Sequence, residues 1–311
     1  MDDTPTSTPT TFELYIKSEI EPLLSQLEKN RKTFFRITYV VAFLVVAMLI
    51  YFTSLQQWVV TLLSLSLLVV AYFIIDYYIQ LFRRNYKSQI INKVLEFIRH
   101  EHGNIPLYYE PRGSIHPTIL KESKIFFDKK YIVKGEDYIS GTINNKNFEF
   151  SELRLLRQRW EKTFLFKGWF LRKETINIQH DNLSLMILPT HSKNHYIATI
   201  KKYLHEGAKE VVLISDPNEQ QWSCYTTLPE DHQAFRLQNI AQIIGSLSQF
   251  YHYGTIAYFH HQQLYLALYD VPDILEPVWW KPLMSEQSIK QYYFDLNKLI
   301  NSIVSLDIVL N

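Results

Sequence analysis

One cysteine, Cys224, is all the thiol this chain carries, so no intramolecular disulfide can form and nothing favours an oxidising compartment. Glycine is also scarce: Gly103, Gly113, Gly135, Gly141, Gly168, Gly207, Gly245 and Gly254 stand apart from one another. A phosphate-cradling loop needs glycines close together, so that backbone N–H groups can approach the anion. Neither G-x-G-x-x-G nor a Walker-type loop occurs, which excludes the motif-bearing nucleotide folds. An excess of one charge is missing too. Thirty-two Lys and Arg against 31 Asp and Glu leave +1, which gives no electrostatic footprint for nucleic acid. G-x-S-x-G and H-E-x-x-H are absent as well, and no cofactor or metal is predicted.

The longest absence is of charge itself. From Ile37 to Ile75, 39 residues, there is no Asp, Glu, Lys, Arg or His. As one helix this would run about 58 Å, twice the hydrocarbon core of a bilayer. The sequence Ser54-Leu-Gln-Gln-Trp58 offers a break, so two spans are predicted, about 37–55 and 58–75. Lys29, Arg31, Lys32 and Arg36 precede the pair, Arg83, Arg84, Lys87 and Lys93 follow it, and the connecting turn has no cation. By the positive-inside rule both ends are expected in the cytoplasm. Trp58, Tyr77 and Tyr78 suit the interfacial aromatic belts.

Around this hairpin the pattern divides the chain into four parts. Residues 1–11 read as a disordered Thr/Pro-rich tail. Residues 12–36 read as an amphipathic helix with a stripe of Phe12, Ile16, Ile20, Leu23 and Leu27, kinked or split at Pro22. Residues 37–76 form the membrane hairpin. Residues 77–311 form a cytoplasmic α+β domain, beginning with a helix that Gly103 ends. Beyond it come short strand patterns at 124–127, 131–133, 137–143, 147–153, 162–171, 175–179 and 183–188. A possible helix at 197–206 and a strand pair at 209–215 and 221–227 follow. Helices at 229–251 and 285–310 enclose two more strands, 255–259 and 263–270. Hairpin-ordered strands with flanking helices predict a mostly antiparallel sheet.

Carboxylates concentrate in KGEDYISGTINNKNFEFSEL, residues 134–153. Phe148 and Phe150 share one face of an alternating strand, and Glu149 and Ser151 share the other. Asn144-Asn145 suits a tight hairpin turn. The alternation predicts that most of the charged side chains face water, with Glu136, Asp137 and Glu152 as the candidate polar site. Gly135-Glu136-Asp137-Tyr-Ile-Ser-Gly141, then Phe150-Ser151-Glu152-Leu153, then Phe166-Lys167-Gly168-Trp169-Phe170, resembles the bacterial family catalogued as domain of unknown function 3137. The run Ser223–Asp231 and Glu276-Pro277 are similar in order. The resemblance spans roughly residues 30–310. It implies two membrane helices ahead of an α+β domain in the bacterial inner membrane, and a process shared with LemA-type membrane proteins. It implies no catalytic residues.

Aromatics interleave with cations in FLFKGWFLRK, residues 164–173. Lys167, Trp169, Arg172 and Lys173 either lie against anionic lipid or belong to a strand whose Phe164, Phe166 and Gly168 face the core. Both hold if that strand is a sheet edge facing the bilayer. His191 and His195 stand four apart, but Pro189 and Ser192-Lys-Asn194 read as a turn, and His260-His261 reads as a hairpin tip. His100 and His102 suit the negative end of a helix dipole. Cys224, between Trp222 and Tyr225 in a strand pattern, reads as a buried structural thiol. Three functions follow. The first is a membrane-anchored module that binds a protein partner. The second is a lipid- or small-ligand-binding domain at the membrane surface. The third is an enzyme with a site of dispersed acids and a histidine.

Overall fold

The computed structural model describes residues 11–55, 58–123, 125–126, 131–157, 164–175, 184–189, 209–214, 221–226, 244, 254–260, 262–269, 271, 273–279, 281–283 and 286–310. The expected elements at 175–179, 197–206 and 229–251 lie almost wholly outside these residues, as do His191, His195 and His261. The described chain forms two compact units. One comprises residues up to Phe97 together with Leu275–Tyr292, and the other Ile98–Ile274 with Tyr293 onward.

The first unit is built on two helices of 44 residues each, α1 (Thr11–Ser54) and α2 (Trp58–Glu101), the latter running past the unit's limit. Both are long and apolar enough to cross a membrane. The break at Ser54–Trp58 falls where expected, but each helix runs far beyond its apolar part. The regular α-helix of α1 is interrupted just before Pro22. Pro22 sits in the first turn after a π-helical turn, Ile16–Ile20, where its missing N–H removes no needed donor. A second π turn occupies Lys87–Ile91.

The sequence accounts for both π turns. The buried side chains of α1 run Phe12, Ile16, Ile20, Leu24, and those of α2 run Tyr86, Ile90, Val94. A spacing of four drifts about 40° per step around a 3.6-residue helix. A wider π turn takes up the drift and keeps the stripe on one face. Along these stripes the two helices pack together, with the Phe97 ring 4.8 Å from Phe12 and 5.0 Å from Tyr15. The amphipathic helix therefore docks on the extension of the second span. Residues 275–292 complete the unit: Lys87 Nζ pairs with Glu276 Oε1 at 2.7 Å, and Leu283 N–H donates to Glu28 Oε2 at 3.1 Å.

The second unit is a nine-stranded sheet with spatial order β1-β2-β3-β4-β9-β8-β5-β7-β6, every pairing antiparallel. The strands are β1 (Leu107–Glu110), β2 (Tyr131–Ile143), β3 (Lys146–Arg157), β4 (Phe164–Glu174), β5 (Ser184–Pro189), β6 (Lys209–Ile214), β7 (Gln221–Thr226), β8 (Thr255–His260) and β9 (Gln263–Tyr269). A short helix, α3 (Pro117–Glu122), follows β1, and α4 (Glu286–Leu310) closes the chain. The expected strand at 124–127 is absent at Ile125 and Phe126, which instead join the core. That core lies on the sheet face of Leu153, Leu155, Phe166, Phe170, Ala267 and Tyr269. The opposite face is buried too, at Phe150, Trp169, Leu171, Leu266 and Leu268. His102 Nε2 meets Asn297 Oδ1 of α4 at 2.8 Å, a tie to a side chain where a helix-end role was expected.

Gly141 marks the closest approach in the β1–β2 ladder. A Cβ there would stand 2.6 Å from the Pro106 carbonyl oxygen and 2.7 Å from Phe148 Cζ. A backbone atom cannot rotate away as a side chain can. Gly141→Ala is expected to destabilise the sheet unit by about 1–3 kcal/mol, measured by urea titration of the far-UV circular dichroism of the full chain.

Candidate functional site

The β2–β3 hairpin turns on Asn144 and Asn145, both in the left-handed region at φ 52° and 62°. Its ladder then shifts. Ile139 faces Phe150 and Glu136 faces Glu152, so two residues of β2 oppose one of β3. This is a β-bulge, and Asp137 within it has φ 57°. Asp137 is 1% exposed, accepts from Tyr109 Oη at 2.6 Å and donates its N–H to Pro111 O at 3.1 Å. Its role is to hold the bulge, and the expectation that it faces water fails. Glu149 and Glu152 are likewise buried. Alternation along β3 was read correctly, but most residues on both of its faces are buried.

The bulge puts Glu136 directly across from Glu152, a like-charge pairing that costs energy unless it is relieved. Two features relieve it. Arg154, two residues on and therefore on the same face as Glu152, reaches three carboxylates through one nitrogen. Its Nη2 lies 3.3 Å from Glu136 Oε1, 3.1 Å from Glu152 Oε1 and 3.1 Å from Asp273 Oδ2. Lys167, across from Arg154 in the β3–β4 ladder, places Nζ 3.3 Å from Asp273 Oδ1. The second feature is a proton. Burial, the hydrogen bond to Asp273 and the charges of Asp273 and Glu136 push Glu152 up to about 8, against the pull of Arg154. Burial also works on Asp273. There the Glu152 hydrogen bond, with Arg154 and Lys167, more than offsets it and holds Asp273 below the usual range. The two opposed shifts fit one arrangement, a proton on Glu152 shared toward an ionised Asp273. In that state two carboxylates face two cations, and the cluster is neutral.

A second group sits near the β1 edge. Glu149 accepts from Tyr138 Oη at 2.8 Å and pairs with Arg172 Nε at 2.7 Å. These three residues line a cleft of about 440 Å³ with Tyr108, Ser140 and Asn147.

The predicted residues thus separate. Glu136, Glu152 and Lys167 come together, while Asp137 and Arg172 serve other contacts. Trp169, 4% exposed, and Lys173, fully buried, offer no surface to a headgroup. Strand β4 is the fourth of nine, so it is not the sheet edge that would let the strand and lipid readings of residues 164–173 hold together. Arg154, Asp273, Glu149 and Tyr138 were not anticipated. Arg154 had a signal, since i and i+2 share a face of a strand. Asp273 had none, because it lies in an irregular segment more than a hundred residues further on. Cys224 is fully buried, and burial pushes its thiol up to about 12, which makes it inert. No group of three His, Cys, Asp or Glu among the described residues is arranged to hold a metal ion. The chain matches no family model, no curated protein and no solved structure.

A carboxyl raised in the folded state binds a proton there that the unfolded chain releases from about pH 4.5 upward. Stability is therefore fully present below that pH and declines as pH rises toward about 8. Glu152→Gln should remove this decline, on the order of 1–3 kcal/mol, with Glu136, Arg154, Lys167 and Asp273 left in place. Urea midpoints from pH 5 to pH 8 for both forms test it. A wild-type profile no steeper than the variant's would contradict the assignment.

Proposed function

We propose that the protein is a membrane-anchored interaction module of the bacterial inner membrane. Its hairpin crosses twice, both termini and the sheet unit are cytoplasmic, and the sheet unit docks a protein partner in a membrane-associated complex. The observation that carries this reading is the state of the apolar run. Between Ile37 and Ile75, only Val45 and Ser64 are buried among the described residues, while Phe43, Ile50, Val59, Leu62 and Phe73 are each at least 65% exposed. Water would not tolerate so large a contiguous apolar surface, whereas lipid would. Exposed Lys29, Lys32, Arg36 and Arg84 at the charged ends support the orientation. The likeness to the bacterial two-span family supports the location and makes a LemA-type protein one candidate partner.

The docking surface is supported by an incomplete ladder. Strand β2 has 13 residues, yet β1 pairs only with Tyr138–Gly141. Among the described residues, no strand covers the outer edge of Tyr131–Lys134, and Ile132 there is 48% exposed. An uncovered edge offers main-chain hydrogen bonds to an added strand.

Affinity capture of the full chain from solubilised membranes should recover a partner, and Ile132→Lys should reduce that recovery about tenfold or more, since a charge blunts a pairing edge. Unchanged urea stability of the variant assigns the loss to docking. Recovery of the chain alone, or a partner indifferent to Ile132→Lys, would overturn the assignment. Cysteines placed at Ser88 and Asn301 should stay unlabelled by an impermeant maleimide in intact cells.

A further inference from the structure

The hairpin holds a cavity that the interaction reading leaves unused. A cleft of about 670 Å³ lies between α1 and α2 at their charged ends. Its walls are two helical stripes: Leu27, Asn30, Arg31, Phe34, Thr38 and Val41 on α1, and Ala71, Ile74, Ile75, Tyr78, Phe82 and Asn85 on α2. Each stripe repeats at three and four residues, the spacing that turns one helix face toward a partner. Facing stripes of this kind usually pack on each other. Here they meet at Phe34 and Tyr78, whose ring centres are 5.8 Å apart, and leave a cleft beside that contact, with Ile74 and Tyr78 about half exposed.

We propose that this cleft is a binding site for one acyl chain of an anionic glycerophospholipid from the leaflet at the hairpin's charged ends, with the phosphate held at Lys29, Asn30 and Asn85. The inference rests on the membrane-anchored reading. Depth is the first argument for this occupant. From Asn30 to Ile37 the groove follows the charged flank for about 10 Å, and from Ile37 to Val41 it enters the uncharged run by about 6 Å, which keeps it within one leaflet of a roughly 30 Å hydrocarbon core. Further along the run, Val45 and Ser64 are the buried positions, where the helices close on each other. A third helix would need a groove through both leaflets, and a lipid chain needs one.

Charge is the second argument. The lining contains Lys29 and Arg31 and no Asp or Glu. Arg31 is held by Glu28 at 2.7 Å, whereas Lys29 has no ion-pair partner among the described residues and is exposed at the rim. The mouth is also preformed. Trp279 lines it, stacked on Phe35 with ring centres 5.1 Å apart and planes 3° apart, and Arg31 Nη1 donates to its carbonyl at 3.0 Å. An indole at headgroup depth beside a cation suits a phospholipid's glycerol region.

The test uses the full chain in nanodiscs of phosphatidylcholine and phosphatidylglycerol in equal amounts, followed by native mass spectrometry. One retained phospholipid is expected, with phosphatidylglycerol favoured. Ala71→Trp, which fills the cleft, should abolish retention. Lys29→Gln, an exposed change that leaves the helices intact, should keep the lipid but lower the phosphatidylglycerol preference about fivefold, the effect of one cation near headgroups. No retained lipid, equal retention by Ala71→Trp, or a preference unmoved by Lys29→Gln would each overturn the site. So would a photocrosslinker at Val41 that labels a second polypeptide in place of lipid. A chain that never enters the nanodiscs would instead refute membrane anchoring, so the two readings fail separately.

Discussion

A peptide group in hydrocarbon has no water to bond, so on the membrane-anchored reading the N–H and C=O groups of the two apolar runs are satisfied within their own helices. That requirement fixes two straight elements, and the uncharged run leaves them little else to hold on to. Only Val45 and Ser64 are buried there among the described residues. Burial of apolar surface cannot hold such helices together in lipid, because lipid is as apolar as they are. The adhesion of the first unit therefore lies outside the apolar run. It lies in the stripes at Phe12–Leu27 and Tyr86–Phe97, where water makes burial favourable and where the π turns keep the register.

The two units bury charge by opposite means. Glu28 stays ionised, held below its usual range chiefly by its hydrogen bonds from Arg31, against burial, with Leu283 N–H also donating to it. Its partner is local, three residues along one helix, so the pair is in place as soon as the helix forms. Glu152 lies within reach of Arg154, yet it also faces Glu136 and Asp273, and one guanidinium cannot neutralise three carboxylates. Protonation is the cheaper solution there. The difference is one of stoichiometry: one acid between two cations, Arg31 and Lys32, stays ionised, and three acids with two bases leave a place for a proton.

What could be read from the sequence was what is local. The two long apolar helices, their break, the Asn144-Asn145 turn, the β6–β7 and β8–β9 pairs and the burial of Cys224 depend on neighbours along the chain. Polar alternation in β3 was also visible, but its meaning depended on what covers the sheet, which no local pattern states. Glu149 and Glu152 therefore read as solvated and are buried. The aromatic and cationic run in β4 read as a possible membrane face for the same reason. Its pairing with β9, about a hundred residues later, makes it a central strand and seals Trp169 and Lys173 inside. A bulge likewise has no signature here except a polar residue with positive φ, and Asp137 looked like any strand-starting acid.

The base of the hairpin shows the same long reach with a consequence for assembly. Glu276, Trp279 and Leu283 are made after the whole sheet, yet they complete contacts to Lys87, Arg31, Phe35 and Glu28. A peptide used only as an anchor would be finished when its second helix leaves the ribosome. This one is not, because its mouth stays open until more than two hundred residues have followed Arg31. Closing so long a loop costs entropy that grows only logarithmically with length, so a buried ion pair and a stacked indole suffice to hold it. Trp279 then lines the cleft between α1 and α2, stacked on Phe35.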